Sequence, residues 1–421
     1  MITSWGNTGS VDAQNPVVPV RGTLHGRCVV VAGGCDTERM ELAATRARND
    51  TSGDHVKPTK IVDLFAGPGG LDVAASKLGI ETVGVEWDAS ACATRRAAGL
   101  GTVEGDVREY GPSDFPDADV LAGGPPCQTF TVAGSGDGRR ALDDVLGFVK
   151  RMVARENRED IVRDLGLSDL KDERTRLVLE PLRWALEAID QGRPYRAIVL
   201  EQVPAVLPVW KEYAKALEAE GYSVKCGILR TEQYGVPQTR RRAVLIARLG
   251  SEEVILPKAT HQAYRKGVPK EAGESDYAGW RTMADVLDRP SPFFVISNYG
   301  TGGDPKARGR RASWEPSATV TGKISRNRVV SVDGDEMDRF SFSEAGRLQT
   351  FPADYPWSGS DVPQQIGNAV PPRLAMHILC AAFGWGPPAP EMLQGLEVWN
   401  AEETAEPGDL DNVVARELEY A

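Results

Sequence analysis

A thiol, a carboxylic acid and paired guanidinium groups stand in this chain where they could act on one substrate. Cys127 lies within Gly-Gly-Pro-Pro-Cys-Gln-Thr-Phe-Thr-Val-Ala-Gly, residues 123–134, after the apolar run Ala118 to Ala122 that Asp119 interrupts. The run reads as a buried strand leaving a sheet, and two glycines and two prolines then force a sharp, rigid loop. A thiol presented this way can be a nucleophile; a lone cysteine near a strand end can equally be a small buried apolar group. Glu201-Gln202-Val203-Pro204 follows a second buried strand, Ala197–Leu200, which brings Glu201 to the same sheet edge as Cys127. A carboxylic acid there could hydrogen-bond a heterocyclic base and donate or hold a proton, or be a structural carboxylate beside an arginine. Gln238-Thr-Arg240-Arg241-Arg242 opens the strand Ala243–Ala247. Alternation puts Arg240 and Arg242 on one face and Arg241 on the other. Two fixed guanidiniums can bind an anion or a base carbonyl, unless the cluster is a solvated strand edge.

Three successive strand ends suit a nucleoside. Phe65-Ala-Gly67-Pro-Gly69-Gly70 is a glycine-rich turn between a strand and a helix. Its glycines let backbone approach a ligand, and the helix N-terminus offers free N–H groups. Pro68 and the early Gly70 spoil the G-x-G-x-x-G pattern, so a pyrophosphate cradle is not expected. Glu86 ends the next strand and could accept from both ribose hydroxyls, Trp87 could stack on a purine, and Asp106 could accept from an adenine amino group. A strand-end aspartate is also a common cap or turn residue.

The elements that must position these groups alternate. Strands are expected at Lys60–Phe65, Glu81–Glu86, Gly101–Val107, Asp119–Ala122 and Ala197–Leu200, and helices at Leu71–Leu78, Ala89–Ala98 and Leu177–Ile189. This predicts an α/β fold with a doubly wound, Rossmann-like sheet. After Ala247 the periodicity fades into a Gly/Pro/Arg-rich stretch that reads as a small, irregular domain, and helical character returns at Ser343–Leu348 and Pro372–Phe383.

Six cysteines without pairing or metal-ligand spacing among 421 residues argue for a reducing compartment, no disulfides and no metal. No apolar run reaches membrane-spanning length, and the chain starts without a signal-peptide pattern, so a cytoplasmic location is expected. Net charge is −11. Its distribution matters more than its total: Gly221 to Val330 holds 19 basic and 10 acidic residues, whereas Glu391 to Ala421 holds 9 acidic residues and one arginine. A basic segment in an acidic protein can still track a phosphate backbone; both segments could also be ordinary solvated surface.

Taken in order, these residues resemble the cytosine-5 DNA methyltransferase family from about Lys60 to Ala382. Asp63 to Gly70 looks like its first motif and Pro125-Pro-Cys-Gln128 like its catalytic motif. Glu201-Gln202-Val203 stands where Glu-Asn-Val is usual, and Gln238, Arg240 and Arg242 fit Gln-x-Arg-x-Arg. Arg347-Leu-Gln-Thr-Phe-Pro352 looks like the ninth motif and Gln365-Ile-Gly-Asn-Ala-Val370 like the tenth. The resemblance implies S-adenosyl-L-methionine as methyl donor and a flipped cytosine in double-stranded DNA as substrate. Cys127 would attack carbon 6, Glu201 would hold N3 and the amino group, and Arg242, with Arg240, would serve the O2 side. Phe65, Gly67, Gly69, Glu86, Trp87, Asp106, Val107, Pro125, Asn368 and Val370 would line the cofactor site. Gln128, Gln238, Arg308, Arg310 and Arg311 would meet DNA, and Thr319 to Gly322 could approach its backbone.

The resemblance divides the chain into a flexible extension (1–57), a catalytic and cofactor-binding domain (58–250), a target-recognition domain (251–340), a return to the catalytic domain (341–386) and an acidic tail (387–421). Three departures stand out. Gln202 replaces asparagine. An Asp-x-Arg-x-x-Leu stretch is best matched by Asp172 to Leu177, with a charged segment, about 138–170, before it that is expected to form one or two exposed helices near DNA. The recognition region is short. A monomer is expected, with a restriction endonuclease as a separate partner. A tRNA methyltransferase of the same fold and a non-catalytic reader are the rival readings, and a nicotinamide oxidoreductase a poor third.

Overall fold

The computed structural model describes residues 58–126, 136–167, 176–270, 276–297 and 309–399. The expected extension over 1–57 and the chain beyond 399 lie outside them, as do Cys127, Gln128, Arg308 and the Asp172–Arg174 stretch.

Five apolar runs form parallel strands: β1 (Lys60–Leu64), β2 (Glu81–Glu86), β3 (Gly101–Glu104), β4 (Val120–Gly123) and β5 (Ala197–Gln202). β6 (Tyr222–Arg230) and β7 (Arg241–Leu249) pair as antiparallel neighbours, and β7 runs antiparallel to β5. The sheet order is β3-β2-β1-β4-β5-β7-β6. It reverses between β1 and β4, and open α/β sheets bind ligands outside the carboxyl ends of their strands at such a point. The glycine-rich turn after β1 and the Gly-Gly-Pro-Pro loop after β4 both leave the sheet there.

Helices among the described residues include α1 (Gly70–Lys77), α2 (Ala89–Ala97), α3 (Gly136–Val153), α4 (Arg158–Leu167), α5 (Glu180–Asp190), α6 (Leu207–Ala219), α7 (Phe342–Leu348), α8 (Val362–Asn368), α9 (Pro372–Ala382) and the short α10 (Pro390–Gln394). Period-two alternation splits the core between the sheet's faces. Val62, Leu64, Leu121, Ile198, Leu200 and Leu245 pack with α5 and α6. Ile61, Val120, Ala122, Val199, Val244 and Ile246 pack with α1 and α9. α6 shows why it docks: Val209, Trp210, Tyr213, Ala216 and Leu217 form one apolar stripe.

Three expectations need correction. β3 ends at Glu104, so Asp106 and Val107 follow the strand rather than closing it. The charged segment does form two helices, α3 and α4, but they are not simply exposed: Val145, Phe148, Val149 and Ile161 enter the core, while Arg151 pairs on the surface with Glu156 and Asp164. The stretch after Ala247 is not without order either. β8 (Phe293–Ile296), β9 (Arg310–Ala312), β10 (Arg328–Ser331) and β11 (Glu336–Met337) make a small antiparallel sheet in the order β11-β10-β8-β9. Its core joins Phe293, Val295 and Val329 to Leu348 of α7 and Ile366 of α8.

Candidate active site

β4 and β5 lie in parallel register with Gly123 opposite Leu200, so the loop after β4 and Glu201 share one sheet edge. Gln202 fastens them: its Nε2 donates to the Pro125 carbonyl at 2.5 Å, and its Oε1 accepts from the Val203 N–H at 2.5 Å. The extra methylene over asparagine thus still reaches the loop. Glu201 stands opposite Val244 in the β5–β7 ladder, and Arg242 lies two residues along on the same face. Their side chains meet with Arg242 Nε 2.7 Å from Glu201 Oε1, at 12% and 10% exposure. Burial lowers the Arg242 pKa, and the Glu201 charge opposes that shift. The result is a fixed, nearly dry ion pair at the same sheet edge as Pro125.

Arg240 and Gln238 are placed differently. Arg240 precedes β7, so strand alternation does not govern it. Its guanidinium donates to the carbonyls of Val320, Gly367 and Ala369 at 3.0, 3.0 and 3.3 Å. Gln238 is fully buried: it donates to Gln349 Oε1 and accepts from the Val320 N–H. Gln238 thus ties the segments around Val320 and Gln349 together. Gln349 in turn donates to the Ile366 carbonyl at 2.6 Å. Within Thr319 to Gly322, Thr319 borders the cleft beside Arg242 and donates its hydroxyl to the Thr239 carbonyl at 2.8 Å, and Gly322 packs on Gly367. A Cβ on Gly367 would lie 2.2 Å from the Gly322 nitrogen, so both chains must come together as bare backbone.

On the cofactor side, Phe65, Gly67 and Gly69 all adopt positive φ (60°, 56° and 100°), which shapes the turn after β1. Glu86 holds that turn. Its carboxylate accepts from the N–H groups of Gly67, Trp87 and Asp88 at 2.8, 2.9 and 2.8 Å. Oε1 accepts two of these bonds, and Oε2, which accepts only from Gly67, keeps a lone pair for a further donor. A Cβ on Gly67 would meet nothing within 4 Å, so open space lies over the turn, and Trp87 beside it is 71% exposed. An exposed indole, a carboxylate and open space over a glycine fit an adenosine group. Val370 comes from the far end of the chain: its carbonyl lies where a Cβ of Gly70 would be, 2.1 Å away. Tyr355 donates to the Pro68 carbonyl from the same side. Asn368 is exposed at the end of α8, accepting from Gln364 Nε2 at 2.8 Å.

Asp106 and Val107 fit less directly. Asp106 is clamped by Arg108, whose hydrogen bonds hold its carboxyl below the usual range. Val107 turns its side chain into the core and its carbonyl to Arg183 and Trp184. Beneath the turn lies a buried pair that sequence reasoning missed. Arg95 makes two 2.8 Å bonds to Asp72, and both side chains are fully buried. Gly84 leaves room for it, since a Cβ there would lie 2.1 Å from Arg95 Nη2. The signal was an arginine in a helix otherwise rich in small residues.

Arg310 stacks on Phe294 at 3.7 Å and is exposed. Arg311 stacks on Tyr264 at 4.7 Å and lines a cleft of about 500 Å3 with Arg242, Thr239 and Thr319. The described cysteines offer no competing nucleophile: burial pushes Cys92 up to about 12 and Cys380 to about 11, and raises Cys226. Among the described residues no helix is long and apolar enough to cross a membrane, and no group of three or more His, Cys, Asp or Glu could hold a metal ion.

The sheet order and the turn after β1 define a Rossmann-like methyltransferase. Solved structures agree on the fold: the chain resembles the Dnmt2 methyltransferase of S. pombe with a TM-score of 0.51 at 17% identity, over 77% of this chain and 98% of that one. It also resembles the Entamoeba histolytica methyltransferase EhMeth, with a TM-score of 0.50 at 14% identity over 78% and 98%. The family model for C-5 cytosine-specific DNA methylases matches residues 59–150 and 168–383. The chain belongs to that family and is a DNA cytosine-5 methyltransferase. Among curated relatives it is 29% identical to the Type II methyltransferase M1.HphI of Haemophilus parahaemolyticus, over 75% of this chain and 84% of that protein. It is 28% identical to M.Sau96I of Staphylococcus aureus, over 76% and 75%.

Proposed function

We propose that the protein transfers a methyl group to carbon 5 of a cytosine flipped out of a specific site in double-stranded DNA, through a covalent adduct with Cys127. The observation that carries this reading is the buried Glu201–Arg242 pair, one residue from the Gln202 bond that anchors the Cys127 loop. Cytosine carbon 5 is a poor nucleophile. Addition of the Cys127 thiolate to carbon 6 makes carbon 5 an enamine terminus. Glu201, in its acid form, gives a proton to N3 as negative charge moves into the ring and accepts from the exocyclic amino group, and Arg242 fixes Glu201 and faces the O2 side. S-Adenosyl-L-methionine, when bound, supplies the methyl group that carbon 5 takes up. A base then takes the carbon 5 proton, and the electrons of that C–H bond re-form the carbon 5–carbon 6 double bond and expel the Cys127 thiolate. Glu86 and Trp87 would hold the donor's ribose and adenine over Gly67, with Val370 and Asn368 closing the far side.

The chemistry needs one chain, so the protein acts as a monomer on nucleoid DNA in the cytoplasm. Its Type II relatives suggest a restriction–modification setting, in which an endonuclease acts separately; an orphan or phage methylase would use the same site. Bisulfite sequencing of plasmid from cells expressing the wild type and Cys127→Ala tests the whole reading. Protected cytosines in one short motif, absent in the variant, are expected. Protection in neither, with folded protein that binds the donor, would move the activity to RNA or to binding alone.

A further inference from the structure

At the carboxyl end of the sheet, the cleft beside Arg242 is lined by four more cations, Arg230, Arg241, Lys266 and Arg311, and by one carboxylate, Glu232. None of these four makes an ion pair among the described residues, although the chain carries 60 acidic residues against 49 basic ones and pairs most of its other described arginines. Two of them are set against each other. Arg230 stands directly opposite Arg241 in the β6–β7 ladder, where like charges repel. Arg311 is fixed by stacking on Tyr264, which itself donates to Glu315, and its Nη1 has no hydrogen-bond partner. Glu232 is buried with its Oε2 unpartnered; burial raises its carboxyl, and the charges of Arg230, Arg241 and Arg311 oppose that shift without a close bond to any of them. Donors held at close quarters and left short of acceptors fit an incoming anion. Guanidinium forks match the tetrahedral oxygens of a phosphodiester.

We infer that this cleft is a phosphate clamp. Arg230 and Arg241, with Lys266 and Arg311, hold a backbone phosphate of the duplex beside the nucleotide that Glu201 and Arg242 receive; the position of the clamp relative to the target rests on the reading of those two residues given above. The phosphate relieves the repulsion between Arg230 and Arg241, so the cleft is better paired with DNA than without it. Such a contact sets register and affinity and reads no base.

The test is the binding of a fluorescently labelled duplex by the full chain over a salt series. The Arg230→Ala/Arg241→Ala double variant is expected to reduce the slope of log affinity against log salt by about one, the share of one phosphate, and to weaken binding to any duplex by roughly tenfold; each single variant is expected to show part of that loss. Lys215→Ala removes an exposed cation paired to Glu212 elsewhere, on α6, and is expected to leave the slope unchanged. Without DNA, Arg241→Ala is expected to melt no lower than the wild type, because it removes a repulsion; a merely structural arginine would lower the melting temperature. An unchanged slope in the Arg230→Ala/Arg241→Ala double variant, a loss confined to one sequence, or tighter binding of a matched RNA overturns the clamp. If the wild type methylates DNA while the variants keep its slope, the clamp alone falls. If the variants lose the slope but the wild type transfers no methyl group, the clamp stands and the catalytic reading falls.

Discussion

Glu201 and Arg242 hold each other at 2.7 Å with little water around them. A buried ion pair contributes little net stability, because desolvation offsets most of the attraction. On the proposed reading, its value is that neither group must reorganise when a base arrives. Glu201→Gln keeps the shape and removes the charge, and kcat is expected to fall about 10²- to 10³-fold, the scale of losing one preorganised electrostatic contact. Binding of the methyl donor, measured separately, is expected to stay as it was. A variant with full kcat would show that the carboxylate is not the group that meets the ring. At this scale the sequence was legible where a strand end fixed the direction of a side chain, as at Glu201, Arg242 and Glu86. It misled where a residue of the same motif stood just outside its strand. Arg240 and Gln238 read like ligand-facing groups, yet the burial that determines their role comes from residues 320, 349 and 367, far away in sequence.

At the scale of elements, Arg95 locks α1 to α2. It binds Asp72 with two bonds and the Gly101 carbonyl with a third, at 2.9 Å. Removing one partner strands the other charge in the core. Arg95→Ala is therefore expected to cost about 3–5 kcal/mol, read as a fall in the urea midpoint. Replacing Asp72 and Arg95 together with apolar residues of similar volume should recover much of that loss; no recovery would argue against an unpaired charge as the cause. The parallel strands and the helices between them were readable because each combines a periodicity with a glycine or proline stop. The small sheet was not, because its strands are two to four residues long, too short for alternation to register. The core side of α3 was hidden by the density of charge on its other face.

For the molecule as a whole, the buried His377 and the half-buried His261 contribute to the response to acid. Burial, then the Arg373 charge, pushes His261 down to about 4 and His377 to about 3. Arg281 and Lys270 add to the effect on His261. Unfolding returns both to the ordinary value near 6.5. Between that value and the folded one, the unfolded chain binds more protons, so stability falls as the pH drops from about 6.5 toward 4. Melting temperatures from pH 7.5 to 5 are expected to fall more steeply for the wild type than for His377→Gln. Parallel curves would mean that this histidine is not the source. The comparison between the two proteins matters because buried carboxyls such as Asp63, raised by desolvation, respond with the opposite sign.

Val370 seats its carbonyl on Gly70, and Tyr355 reaches back to Pro68, so residues about three hundred positions apart complete one wall. During synthesis the turn after β1 is made early and its cover late. At roughly 5–20 residues per second, some 15–60 s separate the two. A nascent chain that has not yet released Val370 therefore lacks the finished wall.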